Sequence, residues 1–139
     1  MPTLTRWYIK TALAWLVVAL VVGVLLGARG VVPVPPIVDR IAPTWLHMLV
    51  FGWAAQLIFG VVHWMFPHAR QALHGPAERL GWVTYVLLNA GLVLRLVGEP
   101  FAPDLAAAGY GWLLVVSAGA QLVAGWLFVA TTWRRVAAR

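Results

Sequence analysis

The sequence predicts an all-α membrane protein, a bundle of four transmembrane helices with both termini on the cytoplasmic side. Hydrophobic residues fill 63% of the 139 positions and charged residues only 10%, whereas a soluble domain usually carries about 25% charged residues. The apolar residues also gather in four runs, each near the roughly 20 residues that cross a bilayer. One four-helix domain accounts for the whole length.

The ends of the four runs define the predicted helices, which cover residues 7–28, 45–66, 80–97 and 106–133. The first run is longer than the core of a signal peptide, so we expect a retained membrane helix. Thr44 is a suitable N-cap for the second helix, and Pro67 cannot extend that helix at its other end.

The basic residues beside the runs predict the orientation in the membrane. Seven lie on the side of the two termini and the second loop, and two lie in the other loops. Because Lys and Arg are enriched on the cytoplasmic side, both termini are expected inside. The seven are Arg6, Lys10, Arg70, Arg79, Arg134, Arg135 and Arg139, and the two are Arg29 and Arg40.

Composition also limits the chemistry. The chain has no cysteine, which excludes disulfides, thiolate metal sites, iron–sulfur clusters and covalently attached c-type heme. The net charge of +6 is scattered at the ends of apolar runs, a pattern typical of membrane topology and not of nucleic-acid binding. A metal or cofactor would need His, Met, Tyr or carboxylate ligands.

Ionisable residues within the predicted helices are the first functional candidates, because such groups are costly in a membrane. They are His47, His63 and Arg95. The two histidines are 16 residues apart on one helix, roughly 24 Å along its axis and about 160° around it. One small cofactor therefore cannot be bound by both.

The second helix presents two different faces. Small and polar residues share one face, and this stripe predicts close helix packing with interhelical hydrogen bonds. Its members are Gly52, Gln56, Gly60 and His63, and a similar stripe on the fourth helix contains Ser117, Gln121 and Gly125. His47 is expected on the opposite face with Phe51 and Ala54, where a flat porphyrin would have room beside an axial nitrogen ligand. A histidine hydrogen-bonded near the membrane interface is the alternative.

The second helix also carries a spaced motif that begins at His47 and continues through Gly52, Trp53, Gly60 and Pro67, written H-x4-G-W-x6-G-x6-P. It resembles the tenth membrane helix of the catalytic subunit of C-family heme-copper oxidases, and more loosely that of nitric oxide reductases. The resemblance covers about 23 residues. The other helices match that subunit only by their order.

The resemblance implies that His47 ligates the iron of a low-spin heme b. Trp45 stands where the family has the histidine of the high-spin heme, and the helices that carry the copper ligands are absent. The chain is therefore not expected to be an oxygen- or nitric-oxide-reducing enzyme on its own. The second axial ligand would come from another copy of the chain or from a respiratory partner subunit, or would be lacking.

Two further ligand roles are open. Arg95 is expected at a depth similar to that of His47, where its guanidinium could bind a heme propionate, snorkel to the interface or pair with Glu99. His63 with Met65 and His68 forms a weaker candidate for a copper site.

Three functions follow as alternatives. The first is a small b-type cytochrome in the cytoplasmic membrane of a bacterium or archaeon, not expected to be an enzyme on its own. It would serve electron transfer or diatomic-gas binding and assemble as a homo-oligomer. The second is an accessory or assembly subunit of a respiratory complex without its own heme. The third, a small proton-coupled transporter, is disfavoured because the first helix has no carboxylate.

Overall fold

The described part of the chain is built from helices. The computed structural model of the protein describes residues 1–65 and 75–136 and has no strand within these ranges. Four segments are long and apolar enough to cross a membrane, namely Thr3–Gly30, Ala42–Met65, Glu78–Gly98 and Trp112–Trp133. The predicted all-helical class and the number of long apolar helices are therefore confirmed. Phe66, Pro67, His68, Arg70, His74 and Arg139, which carry parts of the sequence predictions, lie outside the described residues.

Each long helix has defined ends, and shorter helices lie between them. In chain order the helices are α1 (Thr3–Gly27) with a 3-10 turn (Ala28–Gly30), α2 (Ile37–Arg40), α3 (Ala42–His47), a π-helical segment (Met48–Ala55), α4 (Gln56–Met65), α5 (Pro76–Gly98), α6 (Ala102–Ala107) and α7 (Trp112–Val136). The second long helix is thus α3, the π-helical segment and α4 in one continuous run, and α5 and α7 are the third and fourth.

Two helix starts differ from the prediction. The fourth long helix starts at Trp112, not at residue 106, because Gly109 adopts a positive φ of 80° and turns the chain between α6 and α7. The second starts at Ala42 with Pro43 in its first turn, where a missing N–H costs nothing. Thr44 is consequently inside the helix and buried, and its hydroxyl has no hydrogen-bond partner among the described residues, so it does not act as the N-cap.

The first and second long helices pack closely through glycines. A Cβ atom at Gly52 would lie 2.9 Å from Cβ of Trp15, and one at Gly60 would lie 2.8 Å from Cβ of Tyr8. Neither position has room for a side chain. The close packing predicted from the small-residue stripe of the second helix is therefore confirmed, and the partner is α1.

A buried polar network reinforces this interface and ties it to α5. Gln56 Nε2 donates to Thr11 Oγ1 at 2.8 Å and to Asn89 Oδ1 at 3.4 Å. Trp15 Nε1 donates to the same Asn89 oxygen at 3.0 Å. Side-chain hydrogen bonds of this kind join helices where no water is available to the polar groups.

The third and fourth long helices form a second close pair. Ser117 Oγ donates to the Gly91 carbonyl oxygen at 2.7 Å, and a Cβ atom at Gly91 would lie 2.8 Å from Cγ of Gln121. By contrast, a Cβ atom at Gly125 would meet nothing within 4 Å. The stripe on α7 thus packs against α5 at Ser117 and Gln121, whereas Gly125 borders open space.

Candidate functional site

An open cleft separates the second long helix from the fourth. Its volume is about 760 Å³, within the range of small-molecule and cofactor sites. Its lining is mainly apolar and aromatic, and consists of His47, Phe51, Phe59, Arg95, Ala118, Gln121, Leu122, Gly125, Trp126, Phe128 and Val129. From Ala118 to Val129 the α7 wall runs for roughly 16 Å at 1.5 Å per residue.

The polar residues of the cleft gather at one end, where α5 finishes. Arg95 Nη1 pairs with Glu99 Oε1 at 2.6 Å, and Arg95 Nε donates to Gln121 Oε1 at 3.1 Å. The side chains of Arg95 and Glu99 are only 17% and 10% exposed. His47 joins the group because its Nδ1 lies 3.3 Å from the same Glu99 oxygen. The ion pair between Arg95 and Glu99 that their spacing allowed is thus confirmed.

Hydrogen bonding determines which nitrogen of His47 carries the proton. Nδ1 lies 2.8 Å from the carbonyl oxygen of Pro43, one turn earlier, and faces the carboxylate of Glu99 as well. Both groups accept hydrogen bonds, so in the neutral ring the hydrogen sits on Nδ1 and Nε2 keeps its lone pair. A carbonyl or carboxylate on the second ring nitrogen is also how proteins orient metal-ligating histidines. The ring is therefore prepared to offer Nε2 to a ligand in the cleft.

The π-helical segment directly follows His47 and changes the direction of the side chains before it. Hydrogen bonds from i to i+5 make wider turns than an α-helix, so a rotation calculated at 3.6 residues per turn fails across Met48–Ala55. The two histidines lie near opposite ends of α5: His47 reaches Glu99, just beyond its last residue, and a Cβ atom at Gly81 would lie 3.5 Å from Cε1 of His63. The rotation of about 160° predicted for an unbroken α-helix therefore does not apply between them.

Three of the predicted heme-site residues share the cleft, and two candidates do not. His47, Arg95 and Phe51 line it, with the Phe51 ring roughly parallel to the imidazole at a centroid distance of 6.0 Å. Ala54 is not among the lining residues. His63 lies instead in a separate cavity of about 20 Å³ near Tyr8 and Gly81.

A pair of stacked rings separates the two cavities. Phe59 on α4 and Phe128 on α7 lie 3.7 Å apart between centroids and within 8° of parallel. Both residues border the cleft and the small cavity. This contact joins the second and fourth helices at the apolar end of the cleft.

Trp45, which replaces the first histidine of the oxidase motif, faces away from the cleft. Its Nε1 donates to the Ala19 carbonyl oxygen at 3.0 Å, and its ring lies against Gly23 of α1. The position two residues before His47 thus belongs to the α1 interface, so a ligand there would not share a cofactor with His47.

The described residues contain no cluster of three or more His, Cys, Asp or Glu side chains that could hold a metal ion. The candidate copper site is only partly described, since His68 lies outside the described ranges and Met65 is 60% exposed. A heme needs an axial ligand and an apolar space for the porphyrin, and the cleft contains a histidine and an aromatic lining.

Sequence reasoning missed Gln121 as a cleft residue and assigned it to helix packing. Its position about one helical turn after Ser117 could be seen in the sequence. The open space beside it could not, because the cleft results from the arrangement of three helices.

Comparison with protein-family models, curated proteins and solved structures found no match. The resemblance to the oxidase subunit therefore stays a prediction, and the site is interpreted from its own geometry.

Proposed function

We propose that this chain is a small b-type cytochrome that holds heme b in the cleft, with Nε2 of His47 as an axial ligand to the iron. The observation that carries the proposal is the environment of His47. Its Nδ1 bonds to the Pro43 carbonyl oxygen and lies 3.3 Å from Glu99, which leaves Nε2 as the ring nitrogen for a ligand, and His47 lines an aromatic-walled space of about 760 Å³. When bound, the heme would supply one-electron redox chemistry or an iron site for a diatomic gas.

The chain's own residues would bind and orient the cofactor. His47 would hold the iron, and Phe51, Phe59 and Phe128 would contact the porphyrin. Arg95 would face the propionate side from the polar end of the cleft. Leu122 and Trp126, 63% and 67% exposed on the rim, would separate the cofactor from lipid.

Coordination number would decide between the two uses of the heme. Among the described lining residues, His47 is the sole histidine and there is no methionine. A second axial ligand would come from another copy of the chain or from a respiratory partner subunit, giving an electron carrier. Without one, the open position would bind a gas.

The proposed setting is the cytoplasmic membrane of a bacterium or archaeon, with both termini inside. The two arginines on the opposite side each pair with an acid: Arg29 with Asp39 at 2.9 Å and Arg40 with Asp104 at 3.2 Å. Because the remaining flanking basic residues lie on the side of the termini, the distribution of Lys and Arg supports this orientation.

Absorption spectra test the proposal. Detergent-purified protein from heme-replete cells is expected to show a sharp reduced b-type band after dithionite. His47→Ala should abolish the band because the axial nitrogen is lost, and His63→Ala, in the second histidine of the same helix, should retain it. A colourless wild type, or a band that survives His47→Ala, would contradict the proposal.

A second candidate is a non-enzymatic accessory subunit, with a partner helix in the cleft instead of heme. The small Ala118 and Gly125 on the α7 wall favour it, since small residues allow helices to approach closely. Colourless protein that copurifies with a respiratory complex would support this function.

A further inference from the structure

Gln121 has an amide group that is only half used. The residue is 6% exposed, and its Oε1 accepts the hydrogen bond from Arg95 Nε. Because a guanidinium only donates, this bond identifies the amide oxygen as the atom next to Arg95 and leaves Nε2 as the remaining donor. Nε2 is buried and has no hydrogen-bond partner in the described structure, although Gln121 lines the cleft. A buried donor without an acceptor is costly, most of all where there is no water.

Arg95 has donors to spare at the same place. A guanidinium carries five N–H groups, and the hydrogen bonds to Gln121 and Glu99 engage Nε and Nη1. Nη2 takes part in neither bond, and Arg95 also lines the cleft. Gln121 and Arg95 therefore each bring to the polar end of the cleft one donor nitrogen that these bonds do not use.

We infer that Gln121 Nε2 and Arg95 Nη2 form a subsite for the carboxylate of an amphipathic ligand whose apolar body fills the cleft. A carboxylate has two oxygens that can accept from both donors, and its charge suits a guanidinium better than a neutral carbonyl does. Gln121 is thereby a positioning residue. The inference rests on the proposed function for one source of this carboxylate, a heme propionate. A fatty acid from the bilayer would be the other source.

Esterification of the cofactor tests the subsite without changing the protein. Heme-free protein from heme-depleted cells is titrated in detergent with hemin and with hemin dimethyl ester, which lacks the free carboxylates. Wild type is expected to bind hemin about tenfold more tightly than the ester. Gln121→Leu should lose this preference, whereas Gln56→Leu, in a buried glutamine outside the cleft, should keep it.

A fatty-acid arm distinguishes the two sources. Oleate is added to the heme-free protein while its tryptophan fluorescence is recorded. The signal of Trp126 is obtained by subtracting the fluorescence of the Trp126→Phe variant. A change in wild type that Gln121→Leu abolishes would assign the subsite to a lipid carboxylate. A preference for hemin over its ester would assign it to a propionate.

The subsite and the proposed function fail in different ways. Equal affinities for hemin and its ester, with a His47-dependent spectrum and no oleate response, would overturn the subsite and leave the cytochrome. No His47-dependent spectrum with either compound would overturn the cytochrome, and the oleate titration would then decide the subsite alone.

Discussion

The two sides of the second long helix contrast sharply, although both combine small, aromatic and amide side chains. Toward α1, Gly52 and Gly60 leave no space, and the amide of Gln56 bonds to Thr11 and Asn89. Toward α7, an open cleft borders Gly125, and the amide nitrogen of Gln121 has no partner in the part of the chain that the structure describes. The same residue types thus build a packed interface on one side and a binding space on the other. The difference lies in whether a neighbouring helix fills the gap.

The strongest test of this contrast inserts the same side chain on each side. Gly60→Leu places its Cβ 2.8 Å from Cβ of Tyr8, so α1 must move, and the cost should be about 1–3 kcal/mol or more. Gly125→Leu meets nothing within 4 Å of its Cβ and should leave stability nearly unchanged while it narrows the cleft and reduces heme content. Thermal unfolding in detergent and the heme-to-protein ratio measure both effects. Equal stability losses in the two variants would remove the distinction between the two sides.

A smaller effect is expected from the amide on the packed side. Gln56→Leu removes the hydrogen bonds to Thr11 and Asn89 and should cost about 0.6–1.7 kcal/mol, as for other interhelical hydrogen bonds in membranes. Heme content should not change. Thr131→Val is a suitable control, because the Thr131 hydroxyl bonds only to carbonyls of its own helix. A loss of heme in Gln56→Leu at unchanged thermal stability would contradict the separation of the two sides.

The smallest effect should come from the exposed ion pair that joins α2 to α6. Asp104→Asn breaks the ion pair with Arg40. The side chains of Arg40 and Asp104 are 50% and 68% exposed. Exposed pairs contribute about 0–1 kcal/mol, so the change in unfolding temperature should be near the error of the measurement. A large drop in the unfolding temperature would mean that this ion pair holds the cleft open. The heme content of the variant would then fall as well.

Much of the packed side could be predicted from the sequence. The apolar runs determine the long helices because an apolar segment of that length has few other stable environments. Small residues repeated along one helix face indicate a close approach wherever that face meets a neighbour, and Gly52 and Gly60 make such an approach to α1. These features depend on local spacing, which a sequence displays directly.

The cleft was less predictable because it depends on geometry that spacing does not contain. The residues 48–55 carry no pattern that distinguishes a π-helix from an α-helix, so the rotation between His47 and His63 could not be calculated from their spacing. Gly109 interrupts what looks like one continuous helix. Gln121 resembles Gln56 in its sequence context, with Ala before and Leu after each, yet only one of them has its amide nitrogen satisfied.

The walls of the cleft also set an order for the biogenesis of the protein. One wall comes from residues 47–59 and the other from residues 118–129, near the end of the chain. Chains generally fold from the N-terminus as they are synthesised, so the packed α1 interface can form while the last helix is still in the ribosome. The cleft exists only after that helix has inserted. Any ligand of the cleft must therefore be loaded after α7 has been made and inserted, when the packed interface of α1 can already be in place.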